Sequence, residues 1–228
     1  MMRILSWRKS VAALAAGLIL TGCSGGEDAP STQLEIFYAL RDRVKEGRGD
    51  DPGTPSLTRA QLDSFQGAFL EVTRENNGQY AYLAKNLERR DDEPGRIVNW
   101  RTRDDITITT RNGVLIATRG VGGDLMSAST LVSGDRPGPV LSGPRTLQIR
   151  ALDNKEVAIA MACEIRDLGP ETIEIVEWRH STRHIQEACS GSGGTVVNDY
   201  WVGNGLVWQS RQWAGPHIGY LKIRQLTR

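Results

Sequence analysis

This sequence predicts mainly β structure: a single antiparallel meander of about ten strands, curled into a barrel, half-barrel or folded sheet, behind one or two short N-terminal helices. Three observations carry that. From Gly67 onward the apolar period is 2, in short segments rich in Val, Ile, Thr, Tyr and Trp, separated by Gly-containing turns. Asn112-Gly113, flanked by alternating residues, is a hairpin signal, because a two-residue type I′ turn needs positive φ at both centres. No stretch alternates strand, helix and strand as a parallel sheet requires.

Taken in order, Arg3, Arg8 and Lys9 precede an apolar run over residues 11–20 and the tetrapeptide Leu20-Thr21-Gly22-Cys23. The run is far short of the roughly 20 apolar residues that span a bilayer, so residues 1–22 form a removable export signal. The tetrapeptide resembles the bacterial lipobox, which implies cleavage before Cys23 and its acylation, palmitate included. Each buried methylene adds about 0.8 kcal/mol, so several acyl chains make a lasting anchor. Residues 23–32, small, polar and Pro-containing, form a tether, and residues 33–228 one β-rich domain. Ile36, Phe37, Leu40 and Val44 recur at helical spacing and predict an amphipathic helix over residues 33–43; after a break at 47–55, residues 56–64 offer a further helical turn.

In the hairpin of residues 106–117, a regular ladder sets Thr109 opposite Ile116. The strand of residues 157–165 puts Val157, Ile159, Met161, Cys163 and Ile165 on one face and Ala158, Ala160 and Ala162 on the other, where a second layer is expected to pack. Asp167-Leu168-Gly169-Pro170 reads as a turn into a strand over residues 172–182. Gly203-Asn204-Gly205 marks another hairpin with Tyr200 across from Trp208, and the last strand covers residues 219–226. Residues 89–95 and 133–143 are polar loops, of the kind that carry partner contacts.

The formal charge of +1 falls to −2 once the three signal-segment cations leave, and the charges are well mixed. Nucleic acid binding needs clustered Lys and Arg and is excluded. With Cys23 assigned to lipid, an exported chain keeps an even pair, so a Cys163–Cys189 disulfide is expected, closing a loop of about 25 residues worth on the order of 3 kcal/mol.

No catalytic residues, metal ligands or cofactor site emerge. His180 and His184 lie four apart in a strand, about 13 Å of extended chain, too far to share a metal. His217 has no ligand partner at metal spacing, and Ser192 sits in no nucleophile elbow. The stretches Gly120-Val121-Gly122-Gly123-Asp124 and Gly191-Ser192-Gly193-Gly194 lack a phosphate-loop ending and are turns. Asp91-Asp92 and Asp104-Asp105 serve solubility, since neighbours in a strand point oppositely. Tyr200, Trp201, Trp208 and Trp213 cluster near the C-terminus with Arg211 and Gln212. These six are the candidates for glycan or partner contact, on an aromatic face that stacks against sugar rings while the polar groups bond hydroxyls.

The lipobox, the run Asn112-Gly113-Val114-Leu115-Ile116-Ala117-Thr118-Arg119-Gly120-Val121-Gly122-Gly123-Asp124-Leu125, the two cysteines and Trp208-Gln209-Ser210-Arg211-Gln212-Trp213-Ala214-Gly215-Pro216, in this order, resemble the YjbF/GfcB family of outer-membrane lipoproteins associated with group 4 capsule and related exopolysaccharides. The resemblance implies a lipid-anchored domain facing the periplasm, without known enzymatic activity. It would serve polysaccharide export or assembly beside a soluble periplasmic protein and an outer-membrane β-barrel of the same secretion system, with the polysaccharide itself a further partner. Ser24 after Cys23 agrees with outer-membrane sorting. Two other functions remain open: a lipid or lipoprotein carrier with a half-barrel cavity, and a glycan-modifying enzyme, which would need two acids within about 5 to 10 Å in one cleft.

Overall fold

The computed structural model describes residues 57–151, 153 and 155–228; the predicted signal, Cys23, the tether and the helix of residues 33–43 lie outside them. One short helix, α1 (Arg59–Asp63), precedes twelve strands: β1 (Phe69–Arg74), β2 (Tyr80–Arg89), β3 (Ile97–Arg101), β4 (Thr107–Arg111), β5 (Val114–Arg119), β6 (Leu125–Ala128), β7 (Gly143–Arg150), β8 (Glu156–Ile175), β9 (Trp178–Gly191), β10 (Gly194–Gly203), β11 (Leu206–Trp213) and β12 (Tyr220–Gln225). The expected antiparallel β architecture is borne out, with two strands more than counted. They form one sheet in the order β5-β4-β3-β2-β1-β12-β11-β10-β9-β8-β7-β6, rolled into a nearly closed barrel.

Side chains bridge the seam between β5 and β6. The Arg119 guanidinium donates to the carbonyls of Leu125 and Met126 at 3.1 Å each, and the Leu125 amide donates to Thr118 Oγ1 at 3.1 Å. The intervening turn is folded around Asp124, whose carboxylate accepts from Thr118 Oγ1 (2.8 Å) and from the amides of Gly120 (2.9 Å) and Val121 (3.1 Å).

Alternation fills the interior. Leu70, Leu83, Trp100, Leu115, Leu147, Ile149 and Ile223 belong to one cluster with Cys163 and Cys189, which face each other across β8 and β9 and are joined by a disulfide. A second cluster lies on the outer side of β1 and β2, where Phe69 and Tyr82 meet Leu62 of α1, Ile173, Ile175, Trp208 and Leu226. In α1, Thr58 closes a capping box with Gln61. The Arg59 guanidinium donates to the carbonyls of Ile175 (3.0 Å), Val176 (3.2 Å) and Leu226 (3.0 Å), under the Trp178 ring at 4.1 Å.

Four local expectations are corrected. Asp167-Leu168-Gly169-Pro170 is a bulge, not a turn: Asp167 pairs with Ile185 and Gly169 with His184, Gly169 has φ +104, and its amide bonds Asp167 Oδ1 at 2.9 Å. The strand continues to a turn at Val176-Glu177, so residues 172–182 are the end of β8 and the start of β9. Ladder pairing of β8 with β7 stops at Cys163, so Pro170 sits on an edge, where its missing N–H costs nothing. In the Asn112-Gly113 hairpin the turn is as expected, but a bulge leaves Thr109 opposite Ala117. In β10 and β11 another bulge sets Tyr200 opposite Ser210 and swings Trp208 to the outer cluster. Lastly, Ala158, Ala160 and Ala162 are exposed: the rolled sheet packs its other face inward here, and among the described residues no layer covers these alanines.

Candidate functional site

A polar network crosses the barrel interior. Arg145 on β7 and Glu187 on β9 point inward, 3% and 0% exposed, and Arg145 Nη1 donates to Glu187 Oε2 at 2.6 Å. The same oxygen accepts from Asn198 Nδ2 (2.8 Å) and the Tyr200 hydroxyl (3.2 Å) on β10. Gln212 on β11 continues it: its Oε1 accepts from the Leu115 amide at 2.7 Å, and its Nε2 donates to the Gly113 carbonyl and Ser210 Oγ, each at 2.9 Å. Arg145 Nη2 donates to the Leu115 carbonyl at 3.2 Å. Burial, then the nearby Glu187 charge, pushes the Tyr200 phenol well above its ordinary range, so it stays protonated and donates. Burial opposes the charge on Arg145 most strongly, but Glu187 and Tyr200 together outweigh it and raise its pKa.

This is a structural strut by its chemistry. One oxygen of its single carboxylate, Glu187 Oε2, is committed to an arginine, an amide and a phenol, while Glu187 Oε1 and Arg145 Nε are buried without a hydrogen-bond partner among the described residues. Glu187 lies within 4.8 Å of the two cysteine sulfurs, but sulfurs tied in a disulfide are not thiolate ligands for a metal.

The barrel opens at both ends. One opening, about 910 Å³, has inner walls of Val72, Leu83, Ile108 and Leu221 and a rim bearing Asn77, Gln79, Arg103 and Asp104. The other, about 470 Å³, is walled by Leu70, Val98, Trp100, Val207 and Ile223 and includes Thr110, Ser210 and Gln225. Residues 133–138 fold over it: Asn112 Nδ2 donates to the carbonyls of Gly134 (2.8 Å) and Arg136 (2.9 Å), the Gly138 amide to the Asn112 carbonyl (2.7 Å), and Arg90 pairs with Asp135 at 2.6 Å.

The six aromatic and polar candidates do not make one face. Tyr200 and Gln212 are in the interior network, 0% and 1% exposed. Trp208 stacks on His180 at 3.8 Å, with the Arg228 guanidinium 5.2 Å above it. Trp201 stacks on His184 at 4.5 Å, whose ring nitrogens meet Asp199 (2.9 Å) and Glu171 (3.1 Å). Arg211 bonds Glu75 at 3.0 Å and lies 3.4 Å over Tyr220. Trp213 is half-buried against the interior cluster. Alternation and the bulge at Trp208 send neighbours to opposite sides of the sheet.

Arg145, Glu187 and Asn198 are functional-looking groups that composition alone does not pick out. Their signal is parity: Arg145 shares its face with Leu147 and Ile149, Glu187 with Cys189, and Asn198 with Tyr200.

A known family matches this chain over residues 39–226: YjbF, the group 4 capsule polysaccharide lipoprotein GfcB. The chain belongs to the YjbF/GfcB family. The resemblance drawn from the sequence motifs is thereby borne out, and the family is described as a capsule-associated lipoprotein. The fold is similar to that of the hypothetical lipoprotein YmcC from Escherichia coli K12, with a TM-score of 0.65 at 17% identity over 87% of this chain and 97% of that one. No curated protein matches the sequence. The run of residues 112–125 is the hairpin, the β5–β6 seam and the turn around Asp124.

Proposed function

We propose that this YjbF/GfcB family member is a non-enzymatic accessory lipoprotein that assists capsule or exopolysaccharide export or assembly. Residues 1–22 are removed, Cys23 is acylated, residues 23–32 form the tether and residues 33–228 fold as one domain facing the periplasm from the outer membrane. It works by holding partner proteins or the glycan in place, the partners being a soluble periplasmic protein and an outer-membrane β-barrel of the same secretion system. The observation that supports this most is membership of a capsule polysaccharide lipoprotein family, combined with an interior whose Arg145–Glu187 pair is tied into a network with Asn198 and Tyr200.

Deleting the gene is expected to reduce the amount, length or surface location of the polysaccharide, restored by the wild-type gene and poorly by Cys23→Ser. Unchanged surface polysaccharide in the deletion strain would refute the role. The wide opening at Val72 and Leu221, apolar on its inner wall and polar at its rim, supports a second reading, an acyl-chain carrier. Native mass spectrometry of the Cys23→Ser protein would show bound lipid if it is right and an empty protein if it is wrong.

A further inference from the structure

We propose that the cavity at the Asn112 end of the barrel binds a sugar ring of a glycan; this rests on the polysaccharide role proposed above and gives it a site. The volume, about 470 Å³, falls in the range of small-molecule sites, roughly 300 to 1,000 Å³, and the lining has their usual make-up of apolar walls with a few buried polar groups. Trp100, Val98 and Ile223 supply an apolar wall for the C–H face of a pyranose.

The polar groups choose between ligands. Thr110 and Ser210 line the cavity and are 5% and 1% exposed. Thr110 Oγ1 accepts from Trp100 Nε1 at 3.3 Å and Ser210 Oγ from Gln212 Nε2 at 2.9 Å, and among the described residues neither hydroxyl donates a bond. Each hydroxyl has one proton to give. An acyl chain in the cavity would bury both donors without an acceptor, whereas sugar hydroxyls accept them. Around the rim Glu88 pairs with Lys85 (3.3 Å) and Arg96 (3.1 Å), Asp135 with Arg90 (2.6 Å), and Arg228 lies over Trp208, so cations outnumber acids there and an acidic sugar is accepted as readily as a neutral one. Residues 133–138, tied down by Asn112, contribute Asp135 and Pro137 to the cavity lining.

The test uses the intact lipoprotein in a detergent without a sugar headgroup and, as probe, oligosaccharides from partial hydrolysis of the strain's own purified exopolysaccharide. Calorimetry is expected to show saturable binding, weakened roughly tenfold or more by Thr110→Val with Ser210→Ala and unaffected by Leu168→Ala on the exposed arm. Absence of saturable binding, equal affinity in the double variant, or competition by palmitate would overturn the site. Should the double variant fail to fold, methyl NMR of the wild type decides: shifts at Val98, Thr110 and Ile223 support the site, and shifts confined to Val72, Leu83 and Leu221 overturn it. No sugar binding together with a polysaccharide defect in the deletion strain removes this site and leaves the accessory role. Sugar binding without such a defect does the reverse.

Discussion

Arg145 and Glu187 occupy positions where their own strands otherwise place apolar side chains toward the core, and a buried ion pair of this kind is sensitive to losing one member. Glu187→Ala or Arg145→Met leaves an uncompensated buried charge or unpaired donors, and each should lower the unfolding free energy by about 3 to 5 kcal/mol, measured by urea denaturation. Asp91 gives a contrasting, surface case. The Arg111 guanidinium, bonded to both its oxygens at 2.7 Å, lowers its pKa from 3.8 to about 2. A depressed folded-state value favours the folded protein above pH 3.8, a contribution lost as pH falls from about 4 to about 2. Acid melts should therefore show Asp91→Asn flattening the pH dependence in that window. At this scale the sequence was partly legible. Asn112-Gly113 announced its turn, but not that a Cβ on Gly113 would come 2.5 Å from Val207 or that the Asn112 side chain ties down residues 133–138. Long-range contacts of a turn residue leave no local pattern.

Among the elements, the β8–β9 arm is where turn chemistry misled. Asp-Leu-Gly-Pro has every turn-favouring residue, yet the chain reverses at Val176-Glu177, with φ of 44 and 66 and no glycine. Burial of Ile173 and Ile175 under α1 and the Arg59 bonds to the turn carbonyls override local preference. Glu177→Gly should accordingly raise stability by roughly 0.5 to 1 kcal/mol, read from denaturant midpoints; a loss would show the left-handed turn carries no strain. The same arm holds His180 against Trp208. Burial first, then the charges of Arg59 and Arg228, lowers the pKa of His180 below 6.5. The unfolded chain therefore takes up the proton more readily, and stability should fall as pH drops from about 7 through 6.5 and below, less so in His180→Gln. The barrel elements were more transparent: period 2 and Gly-marked turns suffice wherever a strand has one wet face and one dry one, while bulges, which shift the period by a residue, escape it.

For the molecule as a whole, the disulfide joins strands that already pair, at a sequence separation of 26 between Cys163 and Cys189. Cys163→Ala with Cys189→Ala should cost about 2 to 4 kcal/mol in thermal or chemical unfolding, chiefly by freeing the denatured chain. Fold class was legible because it is a property of the pattern; the strand order was not, since nothing local says that β1 lies beside β12.

That adjacency has a topological corollary. Among the described residues, β1 with β12 is the sole hydrogen-bonded pairing between strands distant in the chain, and β5 with β6 is the sole place where chain neighbours lack a ladder. Read from β6 through β12 and on through β1 to β5, the sheet is an uninterrupted up-and-down series. A circular permutant that links Arg228 to Leu57 through a short spacer and opens at Gly122 would turn every ladder into a local hairpin. It should refold faster than the natural order by stopped-flow fluorescence, because lower contact order removes the one long loop closure.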